Sequence, residues 1–308
     1  MKINRYYFPQ YWPVWFLIFI FWLVVQLPYR WQLSLGKYLG LLIMKIAKKS
    51  KRIAQINLAL CFPELSKELR EELLQKSFIN IGIAIFETGM GFWSSTKQIE
   101  PLVNLINYDE VDKIQATGRG VLVLGGHFTT LEIVGRVCAM KHQFSVMYRP
   151  NKIGIIDFFL KKVLSKYYHR AIPRHNLRTM INTLKEGGAV WYSPDVNADR
   201  KASVFAPFFG TQAATVKAVT RFVELTGCAV VPLSHYRRDD NTGYDVILSS
   251  PLELSSTHDY VEDATRINKI LEEAVRKKPE QYLWQYMRFK TRPEGEPRIY
   301  SQHFPGID

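Results

Sequence analysis

The chain has 308 residues and a mass of 35.8 kDa, room for one large or two ordinary domains. With 47% hydrophobic residues, 22% charged residues and no biased tract, it is neither a disordered chain nor a collagen-like one. A total of 41 Lys and Arg against 28 Asp and Glu gives a net charge of +13, which favours an anionic partner, whether nucleic acid, an anionic membrane surface or an acidic protein. Three isolated cysteines, Cys61, Cys138 and Cys228, form no CxxC pair, so the pattern supports neither a disulfide framework nor a structural zinc site and fits a reducing compartment.

From the amino end, Tyr11 to Leu27 carries no charge, and its centre from Val14 to Val25 is wholly apolar. Seventeen residues of helix reach only about 25 Å against a hydrocarbon core of about 30 Å. Tyr6, Tyr7, Tyr11, Trp12 and Trp15 on one side, with Tyr29 and Trp31 on the other, have the placement of an interfacial belt that would help the segment span. No small-x-small cleavage site follows Leu27. The expectation is an uncleaved membrane anchor over residues 1–32 and one catalytic domain over 33–308. Arg30, Lys37, Lys45, Lys48, Lys49, Lys51 and Arg52 outweigh Lys2 and Arg5, so the positive-inside rule keeps the body in the cytoplasm. Leu39 to Ala47, followed by KKSKR, suits either anionic headgroups or packing on the core.

Beyond the anchor, Leu69, Leu73, Leu74, Phe78, Ile81, Ile85 and Phe86 predict a helix over 66–92. The wholly apolar run 120–126, bounded by glycines, predicts a strand buried on both faces. Further buried strands are expected at 144–148, 189–193 and 229–234, with an antiparallel addition at 244–248. Helices are expected at 130–140, 155–166, 177–185, 215–226 and 260–277. This alternation predicts an α/β fold with a central, mostly parallel sheet flanked by helices.

The end of the first strand carries GGHFTTLE, in which His127 and Glu132 are five positions apart. On one continuous helix such residues are rotated by about 140° and would not meet. With His127 in the turn and Thr129 or Thr130 capping the next helix, Glu132 falls in its first turn and can reach back to the imidazole Nδ1–H, leaving Nε2 as a base. Gly125 and Gly126 would admit a substrate or backbone amides as an oxyanion site. No G-x-S-x-G, Walker A, G-x-G-x-x-G or H-E-x-x-H motif occurs, and the other histidines, including His258 and His303, show no metal-ligand spacing. A base without a protein nucleophile needs an activated electrophile, and an acyl thioester is one. Arg149, Arg170, Arg174, Arg200 and Lys201 are candidates for phosphate or carboxylate groups. Asp195 follows a buried strand and a proline, at a turn that is either structural or part of the same binding set. The aromatic run SVFAPFFG, 203–210, either plugs the core or lines an apolar channel of the kind an acyl chain needs.

NLALCFPEL, GGHFTTLE, YRPN, GGAVWYSPD, SVFAPFFGTQAAT and PEQYLWQYMRFKTRP, in that order, resemble the lauroyl/myristoyl late acyltransferases of lipid A biosynthesis, a Gram-negative inner-membrane family. The resemblance covers nearly the whole chain. It implies that His127 and Glu132 are the family's His-x4-acid pair, a signature shared with glycerolipid acyltransferases. It also implies that the donor is an acyl chain on acyl carrier protein and the acceptor the hydroxyl of a 3-hydroxyacyl chain on a phosphorylated, Kdo-bearing lipid A precursor. It implies no cofactor and no metal. Two departures stand out: Asn197-Ala198-Asp199 where the family often has Asp-x-Gly, and Tyr286 where a histidine is common. An enzyme with the same dyad acting on glycerol phosphate or a lysophospholipid remains an alternative, as does a non-catalytic membrane-anchored protein holding anionic lipid. Nucleic acid is not an expected partner, because its recognition motifs are missing.

Overall fold

The computed structural model describes residues 5–254, 259–300 and 307; Lys2, His258 and His303 lie outside the described residues. The chain opens with α1 (Trp12–Val25), α2 (Tyr29–Ile46), α3 (Lys48–Cys61) and α4 (Lys67–Trp93), then a single-turn α5 (Thr96–Ile99). There follow β1 (Val103–Ile106), α6 (Glu110–Gln115), β2 (Val121–Gly125), α7 (Leu131–Lys141), β3 (Phe144–Tyr148) and α8 (Gly154–Tyr167). Next come β4 (Arg170–Pro173), α9 (Leu177–Lys185), β5 (Ala189–Tyr192), a hairpin of β6 (Ser203–Phe208) and β7 (Thr211–Val216), and α10 (Ala218–Thr226). The last elements are β8 (Ala229–Arg237), β9 (Tyr244–Leu248) and α11 (Tyr260–Lys277).

Seven strands form one sheet in the order β1-β9-β8-β2-β5-β3-β4. All neighbours are parallel except β8 and β9, which are antiparallel as expected. The continuous apolar run of β2 is explained by its central place. Leu122 and Leu124 enter the core on one face, with Phe78, Leu271 and Trp284, while Val121 and Val123 enter the core on the other, with Ile133, Val134 and Phe144.

The first segment departs from expectation. Its helix, α1, has only 14 residues, about 21 Å at 1.5 Å per residue, and the chain turns at Gln26–Pro28. Among the described residues no helix is long and apolar enough to cross a membrane, and the expected spanning anchor over 1–32 is not supported. The boundary at residue 32 falls inside α2, and Val25 belongs to the core. Val25 and Phe21 pack on Gly89 of α4, while Trp15 meets Phe159 of α8. The apolar side chains of Trp12, Phe16, Leu17, Phe19, Ile20 and Leu23 nevertheless remain exposed.

Helix α2 lies on α4 with backbones nearly touching. A Cβ on Gly82 would come within 2.1 Å of the Gly36 carbonyl oxygen and 2.3 Å of the Gly40 nitrogen. Only glycine permits this approach, so Gly82→Ala is expected to force the helices apart and lower stability by about 1–3 kcal/mol, measured by denaturant unfolding.

Two other expectations change. The predicted helix over 215–226 begins only at Ala218, because 211–216 is β7, paired antiparallel with β6. The hairpin turns through Phe209 and Gly210, both at positive φ (48° and 74°), as a two-residue primed turn requires. Phe209 is held in that unfavourable conformation by Phe62, Phe208 and Trp284 around its ring and by its N–H donating to Glu272 Oε1 at 2.7 Å. The aromatic run therefore plugs the core.

Candidate active site

The site is built where β2 and β5 end. These strands are parallel neighbours with Leu124 opposite Tyr192. His127 lies three residues beyond Leu124 and Asp195 three beyond Tyr192, so the two loops leave the sheet side by side. Asp195 Oδ1 is 2.6 Å from His127 Nδ1, and its Oδ2 accepts from the His127 backbone N–H at 2.7 Å and the Tyr282 hydroxyl at 3.0 Å. The carboxylate is buried; the imidazole is partly open to a cavity.

The turn carrying His127 is fixed on both sides. The segment around Tyr282 runs antiparallel to it, with Thr129 N–H donating to the Gln281 carbonyl at 2.8 Å and Leu283 N–H to the His127 carbonyl at 3.0 Å. Behind it, the buried Thr130 hydroxyl and His235 Nδ1 are hydrogen-bonded at 2.8 Å. Burial holds the His235 imidazole neutral, with its pKa lowered to about 3.

Glu132 lies in the first turn of α7 and faces the cavity, as its position predicts. It does not take the Nδ1–H: that bond goes to Asp195, which the pairing of β2 with β5 sets beside His127. Burial raises the Glu132 carboxyl pKa, against the attraction of His127. For His127, burial disfavours the imidazolium, but the charge of Asp195, its hydrogen bond and the charge of Glu132 outweigh burial and raise the pKa. For Asp195, burial acts upward, yet His127, its N–H and Tyr282 together keep the carboxyl below its ordinary range.

The cavity beside His127 is about 900 Å³. Its walls are largely apolar, with Phe92 of α4, Leu131 of α7, Leu160 and Leu164 of α8, Val146 and Met147 of β3, and Trp191 of β5. Such a volume and lining suit a flexible aliphatic group. Arg149 and Arg174 line it too, both exposed, with His175, which motif reasoning passed over. Tyr286 closes one side, its ring centroid 5.6 Å from that of His127.

The remaining predicted residues do not converge here. Arg170 sits on β4 and pairs with Glu186 at 2.9 Å while donating to Thr183. Arg200 donates to the Arg292 carbonyl, and it and Lys201 are exposed outside the cavity lining. Gly125 and Gly126 are buried against rings instead of facing the cavity: a Cβ on Gly125 would come within 2.9 Å of the Trp191 indole, and one on Gly126 within 3.0 Å of Phe128. The His127 amide is already committed to Asp195 and is not free to meet an oxyanion. The three cysteines are buried and free, with Cys138 pushed up to about 12 by burial, which leaves it an unreactive thiol.

A family model described as "Bacterial lipid A biosynthesis acyltransferase" matches residues 2–291. The chain is 36% identical to a lipid A biosynthesis lauroyltransferase of Escherichia coli, over 95% of this chain and 96% of that one. It is also 36% identical to a lipid A biosynthesis palmitoleoyltransferase of the same organism, over 95% of each. A solved structure of the 1-acyl-sn-glycerophosphate (LPA) acyltransferase PlsC from Thermotoga maritima aligns with 14% identity and a TM-score of 0.37, over 81% of this chain and 97% of that one.

Proposed function

The chain belongs to the bacterial lipid A biosynthesis acyltransferase family, and on that premise we propose that His127, oriented by Asp195, is the general base of acyl transfer to a lipid A precursor. The observation that carries this reading is the 2.6 Å contact between His127 Nδ1 and the buried Asp195 carboxylate. With Nδ1 protonated and bonded, Nε2 is the nitrogen left to take a proton from the acceptor hydroxyl. The hydroxyl oxygen attacks the thioester carbonyl, the tetrahedral oxyanion collapses, and the departing thiolate takes the proton back from Nε2. Asp195 and Glu132 both stabilise the imidazolium that exists between these steps.

The donor in this reading is acyl-acyl carrier protein, whose acidic surface suits a chain of net charge +13. The acyl chain lies in the apolar cavity, and Arg149 and Arg174, exposed in its lining, meet the thioester oxyanion or the acceptor's phosphate and Kdo carboxylate groups. The acceptor is the hydroxyl of a 3-hydroxyacyl chain. The exposed apolar residues of α1 and α2 rest in the interface of the cytoplasmic leaflet of the inner membrane, lying in its plane.

The test is an assay of purified protein with acyl-acyl carrier protein and each of three acceptors: a Kdo-bearing lipid A precursor, glycerol phosphate and a lysophospholipid. A mass gain of one acyl group on the first alone supports the reading; transfer only to the glycerol compounds would overturn it. In the same assay, Glu132→Gln is expected to lower kcat on the order of 10- to 100-fold, the loss of one nearby charge from the imidazolium.

A further inference from the structure

A second pocket, of about 500 Å³, lies outside the acyl cavity, between α2, α4 and the turn joining β8 to β9. Its floor is neutralised: Arg237 is buried and paired with Glu87 at 2.7 Å. Two rim charges are also satisfied, Asp239 by Lys278 and Arg238 by Thr242, the Tyr244 carbonyl and Asp245. What remains is segregated by charge. Arg30 and Lys37 on the α2 wall have no ion-pair partner among the described residues, with Ser34 between them. Asp240 on the turn, whose Oδ1 accepts from the Thr242 N–H and hydroxyl, and Glu280 on the short helix at Pro279–Gln281 likewise have no cation within ion-pair distance among the described residues.

The helix that supplies the cations also has an exposed apolar strip. At 3.6 residues per turn, Arg30, Ser34 and Lys37 fall within an arc of about 60°. Trp31, Leu35, Tyr38, Leu42 and Ile46 are all exposed and occupy the adjoining arc, opposite the face on which Gly36 and Gly40 meet α4. A ligand filling this site therefore meets positive charge, negative charge and a strip for hydrocarbon side by side.

We propose that this pocket is a headgroup site for a phosphoethanolamine glycerophospholipid of the bilayer on which the strip of α2 rests. The phosphate lies against Arg30, Lys37 and Ser34, the ammonium donates to Asp240 and Glu280, and the acyl chains follow the strip. A phosphoglycerol headgroup offers the two carboxylates hydroxyl donors but no cation, a quaternary ammonium has no N–H to donate, and free phosphate makes no use of the strip. The site stands apart from the reading of His127, and either can fail alone.

The test uses the full chain in detergent, titrated calorimetrically with dihexanoyl-phosphatidylethanolamine below its micelle concentration, and in parallel with the phosphatidylglycerol and phosphatidylcholine analogues and inorganic phosphate. The wild type should prefer the ethanolamine lipid. Arg30→Ala with Lys37→Ala should weaken it by at least about tenfold, and Asp240→Asn with Glu280→Gln should turn the preference toward phosphatidylglycerol. Ser34→Trp, which fills the pocket from the α2 wall, should abolish binding even if the double variants unfold, and thermal unfolding checks each fold. Acyl transfer in detergent should persist in all three. No binding by the wild type, equal affinity for inorganic phosphate, a wild-type preference for another headgroup, or unchanged affinity in Ser34→Trp would overturn the proposal.

Discussion

Replacing His127 by alanine is expected to reduce acyl transfer by on the order of 10²–10⁴-fold or more, with the fold intact. The imidazole is the group placed to move the proton, since Nδ1 is committed to Asp195 and the ring lines the cavity. The fold survives because Asp195 keeps two of its partners, the residue-127 backbone N–H and the Tyr282 hydroxyl, when the ring is removed. Single-turnover transfer followed by mass spectrometry, alongside thermal unfolding, measures both halves. Near-normal transfer by a folded variant would remove His127 from the mechanism.

Asp195→Asn tests the positioning role and separates it from substrate binding. The Asp195 Oδ2 accepts from two donors, so an amide that presents its oxygen there must turn its NH2 toward Nδ1. That fixes the wrong tautomer, with the proton on Nε2, and the base is lost. A fall in kcat on the order of 10³–10⁴-fold is expected, with KM little changed; a rise in KM alone would make Asp195 a substrate contact.

The pH profile gives an independent readout. In the proposed mechanism transfer needs neutral His127, whose pKa lies above its ordinary value because Asp195 and Glu132 outweigh burial. Activity should therefore emerge as pH rises through a point above about 6.5. In Asp195→Asn burial is no longer outweighed by the carboxylate, the imidazolium is less stable, and the residual activity should emerge at lower pH. A limb that does not move would show that Asp195 does not act through the imidazole.

Much of the fold was legible because β2, β3, β5 and β8 are apolar runs bounded by turns and the long helices keep a clear 3.6-residue period. The candidate base, His127, was legible because GGHFTTLE compresses strand end, turn and helix start into one string. Its partner was not, because Asp195 is 68 residues away and meets His127 only through the pairing of β2 with β5, which no local pattern specifies. The nearer carboxylate, Glu132, drew the assignment by its spacing. Likewise Arg170 looked free beside Arg174 until β4 brought it against Glu186. The β6–β7 hairpin was hidden by Phe209 in a turn position where glycine or asparagine is the usual signal. The apolar amino-terminal run was read by composition as a span, but Gln26 and Pro28 cut its helix short.

Register has a further meaning for how such a catalyst can change over time. Because His127 and Asp195 are placed by equal offsets from one cross-strand pair, a single-residue deletion within β5 would shift every later side chain of the strand by one place and turn each to the opposite face. An insertion between the strand and Asp195 would break the same match. The cavity wall and the His127–Asp195 pair share these strands, since Trp191 of β5 lines the cavity and Asp195 follows it, so a change of length here would alter both together.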